Sequence, residues 1–344
     1  MPKTVTLKEI AEELGISAMT VSRAINNRSN VQKKTKERIL AKAREMGYTP
    51  NHVAKSLVSK KTNTIGVVIP DISHHFFSQV ISGIEEVTYA NNYQLLLTNS
   101  AENFERERKA LETLRSQRVD GILISCTMEV QDYSYYQQIV NNGVPIVFFD
   151  RGLPDLGISI VKVDDRTGSK KMTAHMINHG YKKIAYFRGP EISIGRDRYE
   201  GFLEKMREHG LQINNKWIIE SGFQEKGGYQ AMKKILNLPK NQWPRAVVTV
   251  NDPVAIGAME ALKEERLHVP DDFAIGGFSD DIRAQLMNVP LTTIRQRPFD
   301  IGRIAAEKLL QTIGNEDEPV ENREINTELI VRKSCGCNAV EYPG

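Results

Sequence analysis

The chain has 344 residues, 40% apolar and 26% charged, a composition suited to a soluble globular protein of more than one domain. Its formal net charge of +3 hides an asymmetry: residues 1–61 carry 13 Lys or Arg against 5 Asp or Glu, and the remainder carries 33 against 38. No apolar run reaches the ~18 residues of a membrane span and Met1–Val5 is no signal peptide, so a cytoplasmic protein without a membrane partner is expected. Three cysteines exclude a disulfide framework.

Thr6-Leu7-Lys8-Glu9 fits a capping box at the start of a helix. Leu7, Ile10, Ala11 and Leu14 then share one helical face, and Gly15 suits a left-handed closing residue. Ser17 can cap a second helix, and a third runs from about Lys33 to Met46 with Ile39, Leu40, Ala43 and Met46 inward. Helix, short turn, helix is the pattern whose second member enters the major groove. That helix exposes Ser17, Ala18, Met19, Ser22, Arg23 and Asn26. The Arg23 fork suits guanine O6 and N7, and Ala18 and Met19 suit apolar contacts. Thr20, Ser22, Asn26 and Asn30 suit phosphates, which position without specifying. The basic head supports a phosphate-binding module. The competing reading is a small helical bundle with a solvated basic face.

Thr49–Leu57 can form a two-turn helix too short to stand alone, with Val53, Ala54 and Leu57 on one side. A leucine at its end could wedge between base steps in the minor groove. VTLKEIAEELGISAMTVSRAINN, GYTPNHVAKSL and TNTIGVVIPDIS together resemble the lac-repressor (LacI–GalR) family of bacterial regulators, over essentially the whole chain. The resemblance puts Ala18, Met19 and Arg23 at base-reading positions and Leu57 at the intercalating leucine. The expected DNA-contacting set is Thr6, Ser17, Ala18, Met19, Thr20, Ser22, Arg23, Asn26 and Asn30, with Asn51, Ala54 and Leu57 from the hinge.

From Thr64, strands alternate with helices. Strands are expected at Ile65–Ile69, Gln94–Thr98, Gly121–Ser125 and Pro145–Phe149, separated by helices at Phe76–Asn91, Phe104–Gln117 and Gln131–Asn142. A second series has strands at Ile160–Val163, Ile184–Phe187, Ala246–Val250 and Phe273–Gly277 and helices near Thr167–His179, Arg198–His209, Gly228–Leu236 and Val254–Glu265. Strand Thr292–Ile294, helix Phe299–Ile313 and strand Glu328–Val331 complete the body. The expected fold is a small all-α helix-turn-helix head plus an α/β body of two doubly wound parallel-sheet lobes. The resemblance makes the body periplasmic-binding-protein-like and returns the strand at Thr292 and its helix to the first lobe. The expected segments are 1–48 (head), 49–63 (hinge helix and linker), 64–163 with 292–325 (N-terminal lobe), 164–291 with 326–334 (C-terminal lobe) and 335–344 (tail).

Ligands bind beyond the carboxyl ends of parallel strands, and two lobes can turn those ends to one cleft. Ser73, His74, Phe76 and Phe77 follow the first strand, Asp150 and Arg151 follow Phe149, and Arg196 and Arg198 follow Phe187. Asn251 and Asp252 follow Val250, Ser279 follows Phe278, and Gln296 follows Ile294. Forked donors, carboxylates, amides and aromatic faces suit a small polyhydroxylated ligand. Singly, each has a plainer role; Asp252, for example, could cap its helix. By resemblance Arg198 matches an effector-binding arginine, Asn251-Asp252 an effector-binding pair, and Asp150, Arg151 and Gln296 sugar-contacting positions. Ser279 stands where the family commonly has Asp. With Arg151, Arg196 and Arg198 nearby, that suggests a sugar acid beside the neutral-sugar reading.

No Walker loop, dinucleotide fingerprint, zinc-protease motif or nucleophile elbow occurs, so neither an enzyme nor a cofactor is expected. Cys335-Gly336-Cys337 has no second pair or neighbouring His to complete a zinc set, and no metal is expected. Only thirteen residues follow Val331, without a heptad, so a homodimer on a near-palindromic operator is expected, with ligand closure of the cleft coupled to the hinges. The sign of that coupling, induction or corepression, is open. A protein partner or non-sugar ligand in place of the sugar, or a sugar-binding protein without a DNA role, are the competing functions.

Overall fold

The computed structural model describes residues 5–26, 31–49, 61–128, 130, 132–315 and 317–337. The chain divides into a unit over 1–62 and a unit over 63–344.

In the first unit, helices span Leu7–Leu14, Ala18–Ile25 and Lys33–Glu45. The first opens with the expected capping box: Glu9 N–H donates to Thr6 Oγ1 at 3.2 Å and Thr6 N–H donates to Glu9 Oε2 at 2.8 Å. It closes at Gly15, whose φ of 65° is left-handed backbone that glycine adopts without a Cβ penalty. Ile10, Val21 and Ile39 are fully buried where the three helices meet, with Ala11, Ala24 and Ala43 letting them approach. Leu40 and Met46, expected inward, are only half-buried. Asn30, Asn51, Ala54 and Leu57 lie outside the described residues.

In the second unit, β1 (Thr64–Ile69), β2 (Gln94–Asn99), β3 (Gly121–Ile124), β4 (Ile146–Phe149), β5 (Ile160–Val163) and β11 (Asn322–Ile325) form one sheet in the order β11-β5-β4-β3-β1-β2, every pair parallel. The buried runs of β1, β3 and β4 are apolar without alternation, as strands covered on both faces require. A second parallel sheet has the order β7-β6-β8-β9, from Ile218–Glu220, Ile184–Arg188, Ala246–Thr249 and Ala274–Gly276. These sheets organise the two lobes of the body.

β5 lies inside the first sheet, between β4 and β11. Two departures from the sequence expectations bear on the site. The strand at Thr292 does not join the first sheet: β10 (Thr293–Arg295) pairs antiparallel with β12 (Glu328–Ile330) and bridges to the second sheet through Gly276–Thr292 and Ser279–Arg295. Its following helix, Pro298–Gly314, does pack on the first lobe against helix His75–Ala90. Glycines permit that approach, since a Cβ at Gly83 would sit 2.1 Å from the Phe299 carbonyl oxygen and one at Gly302 2.0 Å from that of Val80. Finally, β7 and β11, three and four residues long, are strands beyond those the sequence predicts.

The chain therefore passes between lobes three times: after Val163, after Arg295 and after Ile325. The passages lie side by side, because Asp164 N–H donates to Ile325 O at 3.1 Å and Arg295 is registered opposite Glu328.

Candidate functional site

The head presents its reading helix as the capping predicts. Ser17 Oγ accepts the Thr20 amide at 3.2 Å and lies 2.9 Å from Thr20 Oγ1, so both residues also serve the helix start. Asn26 Nδ2 turns back to Ser22 O at 2.9 Å. Ala18, Met19 and Arg23 point outward; Met19 is 64% exposed, and Arg23 makes no hydrogen bond or ion pair among the described residues. Such exposure of a large apolar side chain beside an uncommitted guanidinium suits a surface that another molecule completes.

The body holds a cavity of about 260 Å³ between its lobes. Nine of the eleven residues expected there line it or stand in its wall: His74, Phe76, Phe77, Asp150, Arg151, Arg198, Asn251, Ser279 and Gln296. Ser73 does not. It is exposed, and its amide and hydroxyl both donate to Asp71 Oδ1, at 2.9 and 2.6 Å, which aims Asp71 into the cavity. Asp252 does not either. It is fully buried behind the wall, accepting from Thr293 Oγ1 at 2.6 Å and the Asp281 amide at 2.8 Å. Its neighbour Asn251 caps helix Asp252–Glu264 by accepting the Val254 amide at 3.0 Å, and its Nδ2 donates to Phe223 O at 2.9 Å. Consecutive residues at a helix start point in different directions, so one of the pair reaches the cavity and the other clasps β10.

Arg198 is built as an anchor. It is 4% exposed, donates through Nε to Asp165 Oδ1 and through Nη1 to Val250 O, both at 2.7 Å, and its guanidinium lies 3.7 Å from the Phe278 ring centroid. Nη2 has no partner among the described residues. Opposite stands Asp150, at φ 60° after β4, whose carboxylate accepts no hydrogen bond among them. Its burial pushes the carboxyl up to about 6, against the pull of Arg151. Gln296 is 3% exposed and its amide has no partner among the described residues, and the Ser279 hydroxyl is buried without a partner among them, at φ 126°. Buried polar groups are ordinarily paired, so the Ser279 hydroxyl, the Gln296 amide and Arg198 Nη2, beside an Asp150 carboxylate whose one charge partner is Arg151, are groups waiting for a ligand. Phe76 and Phe77, edge to face at 5.2 Å, supply apolar wall, as does Phe223 beneath the Arg151 guanidinium at 5.3 Å.

The expected surplus of positive charge is absent. Arg196 is exposed and outside the cavity. Arg151 is paired with Glu102 at 2.7 Å, with Asp150 3.8 Å from its Nε, and Arg198 is paired with Asp165. Glu102, Met128, Ile194 and Phe223 were missed as wall residues. The apolar run Trp217–Ile219 before Ser221-Gly222-Phe223 was the available sign of a strand end there. A second correction concerns Cys335 and Cys337. No histidine is near them in the chain, yet the fold brings His175 and His179 to them, with Cys337 Sγ 2.7 Å from His179 Nε2.

Residues 6–51 match the model of bacterial regulatory proteins of the lacI family, and residues 173–335 match a periplasmic binding protein-like domain. The HTH-type transcriptional repressor PurR of Haemophilus influenzae (strain PittEE) is 35% identical over 333 residues, covering 96% of this chain and 98% of that protein. The structure is similar to that of the lac repressor dimer bound to operator and the anti-inducer ONPF, with a TM-score of 0.86 at 28% identity over 97% of this chain and 99% of that one. It is also similar to a transcriptional regulator CelR–cellobiose complex, with a TM-score of 0.73 at 26% identity over 96% and 99%.

Proposed function

Because the chain belongs to the lacI family and is a DNA-binding transcriptional repressor, we propose that its operator affinity is set by a small neutral sugar held between the two lobes of its body. The carrying observation is the set of Asp150, Ser279, Gln296 and Arg198 in one cavity, the Ser279 hydroxyl buried without a partner among the described residues, facing apolar aromatic walls. A carboxylate and an amide oxygen accept from hydroxyls, a guanidinium and an amide nitrogen donate to them, and phenyl faces cover ring C–H groups. The cavity lies below the ~300–1,000 Å³ of drug-sized pockets, which supports a single-ring ligand. Paired arginines weigh against a sugar acid, whose charge would meet Asp71, Glu102 and Asp150. The cellobiose in the CelR complex supports a sugar in this architecture.

The second reading is a flat heterocyclic base, favoured by the three phenyl rings; its edge would meet Gln296 and Arg198. In either case two copies of the chain grip a near-palindromic operator, which the dimeric state of the lac repressor structure supports. Ligand closes the cleft, the lobes rotate, and the hinge segments that carry Leu57 move together or apart. Coupling of ~1–3 kcal/mol would change operator affinity by roughly 5–150-fold.

A thermal-shift panel of neutral monosaccharides, sugar acids and nucleobases tests this, followed by operator titration with each hit. A ligand confined to the folded state raises the melting temperature. Neutral sugars alone should do so and change operator binding. A response only to sugar acids or only to bases overturns the sugar reading, and no response to any class turns the signal towards a protein partner.

A further inference from the structure

Cys335-Gly336-Cys337 and the pair His175, His179 meet at one end of the second lobe, far in sequence and adjacent in space. His175 and His179 are four apart, at the end of helix Asp165–Asn178, so their rings project from one face. Their centroids are 4.6 Å apart. Gly336 takes φ 83° and turns the chain between the two cysteines, bringing both sulfurs to the same side, 2.8 Å apart. Cys337 Sγ is 2.7 Å from His179 Nε2 and 3.4 Å from His175 Nε2. Ligand atoms of His175, Cys335 and Cys337 all lie within 4.8 Å of one another.

We propose that His175, His179, Cys335 and Cys337 form a tetrahedral site for a soft divalent metal ion of the zinc class. Two sulfurs and two imidazole nitrogens are the donors zinc prefers, and four protein ligands make a closed, structural site. Metal–ligand bonds of about 2.0–2.3 Å set the ligand atoms of a tetrahedron ~3.3–3.8 Å apart, so the two sulfurs, 2.8 Å apart, would open by about one ångström, and the His179 ring would turn from its place 2.7 Å from Cys337 towards His175 and Cys335. On binding, both thiols lose their protons to solvent and both imidazoles bind neutral, so the dication and two thiolates balance in a buried place. Cys335 is fully buried and Cys337 nearly so, while His179 borders a surface depression with Tyr181 and Arg245 that gives the ion a way in.

The surroundings suit a thiolate. Thr292 Oγ1 accepts the Arg332 amide at 2.9 Å and so turns its own hydrogen to Cys335 Sγ at 3.1 Å. Tyr181 Oη donates to Cys335 O at 3.1 Å, and Ser334 Oγ donates to Ile275 O at 2.6 Å while accepting the Thr292 amide at 2.8 Å. The ion would therefore staple the C-terminal segment to the end of helix Asp165–Asn178, beside the start of the crossover strand β10.

The test uses the full-length protein purified under reducing conditions. Elemental analysis should find about one zinc per chain. After metal removal, cobalt(II) should restore visible bands of tetrahedral intensity together with sulfur-to-cobalt charge transfer in the near ultraviolet. Cys335→Ser, Cys337→Ser and His179→Ala should each cut retained zinc at least tenfold, and chelation should lower the melting temperature of the wild type but not of His179→Ala. The cobalt spectrum of the wild type stands even if a variant fails to fold. Wild-type protein that holds no zinc and gives no thiolate–cobalt bands, whether its thiols titrate freely or join as a Cys335–Cys337 disulfide, overturns the proposal.

Discussion

The head and the cleft both offer polar side chains, and they hold them in opposite ways. On the head, Arg23 stands in solvent on a helix fixed by its own caps, Ser17 and Asn26. In the cleft, Arg198 is 4% exposed and two of its three nitrogens are spoken for by Asp165 and Val250 O. A duplex brings its own shape and charge, so a reading head needs only reach and a firm helix. A small ligand brings little, so its site must be preorganised, with the ordering done during folding.

The sharpest way to break that contrast is Arg198→Ala. It removes the anchor and leaves Asp165 buried without its partner, a loss of ~3–5 kcal/mol in body stability. Ligand response should vanish while specific DNA binding at low temperature persists; an unchanged dose–response curve would take Arg198 out of the site. Next comes Asp150→Asn. The Asp150 carboxyl lies at about 6 in the fold against an ordinary 3.8, so its contribution to stability is full below 3.8 and is lost as pH rises to about 6. That movement corresponds to about 3 kcal/mol. The variant should melt higher than wild type above pH about 6, the gain should shrink as pH falls towards 3.8, and ligand affinity should drop. Equal melting at all pH would show that the carboxylate is not isolated.

On the head, Arg23→Ala should cost ~1–3 kcal/mol at one operator position and much less on random DNA. Competition binding with single-base operator variants reads this, and equal losses on both kinds of DNA would make Arg23 a phosphate contact. Smallest is Thr6→Ala, ~1 kcal/mol through the lost cap. Faster exchange of the Glu9 amide, with ligand binding unchanged, would confine its effect to the head.

The same contrast governs what the sequence could reveal. The head is local: a capping box, a turn glycine and a 3.6-residue period fall within forty residues, and its three helices lie where that pattern puts them. The body's alternation of apolar runs and helices was equally legible, because its central strands β1, β3, β4 and β8 bury both faces. Legibility fails where partners are remote. Asp252 looks like a ligand residue beside Asn251 until Thr293 and Asp281 claim it. Phe223 follows a strand of only three residues, marked by nothing longer than the apolar run Trp217–Ile219. Ser73 and Asp71 sit in the right loop, but only the turn's hydrogen bonds show which one enters the cavity. His175 and Cys337 are separated by 162 residues, and no spacing rule reaches that far.

The three passages between lobes have a practical consequence for anyone handling the protein. A protease that cuts once, at 163–165, at 295–298 or at 325–328, leaves two peptide connections and every interlobe hydrogen bond in place. The nicked molecule should elute as one particle, keep its cleft, and fall into fragments only in denaturant. Independent lobes, each expressed from a contiguous gene segment, are ruled out by the same threading: the first lobe takes β11 and the helix Pro298–Gly314 from beyond the second, and the second takes β12 from beyond both.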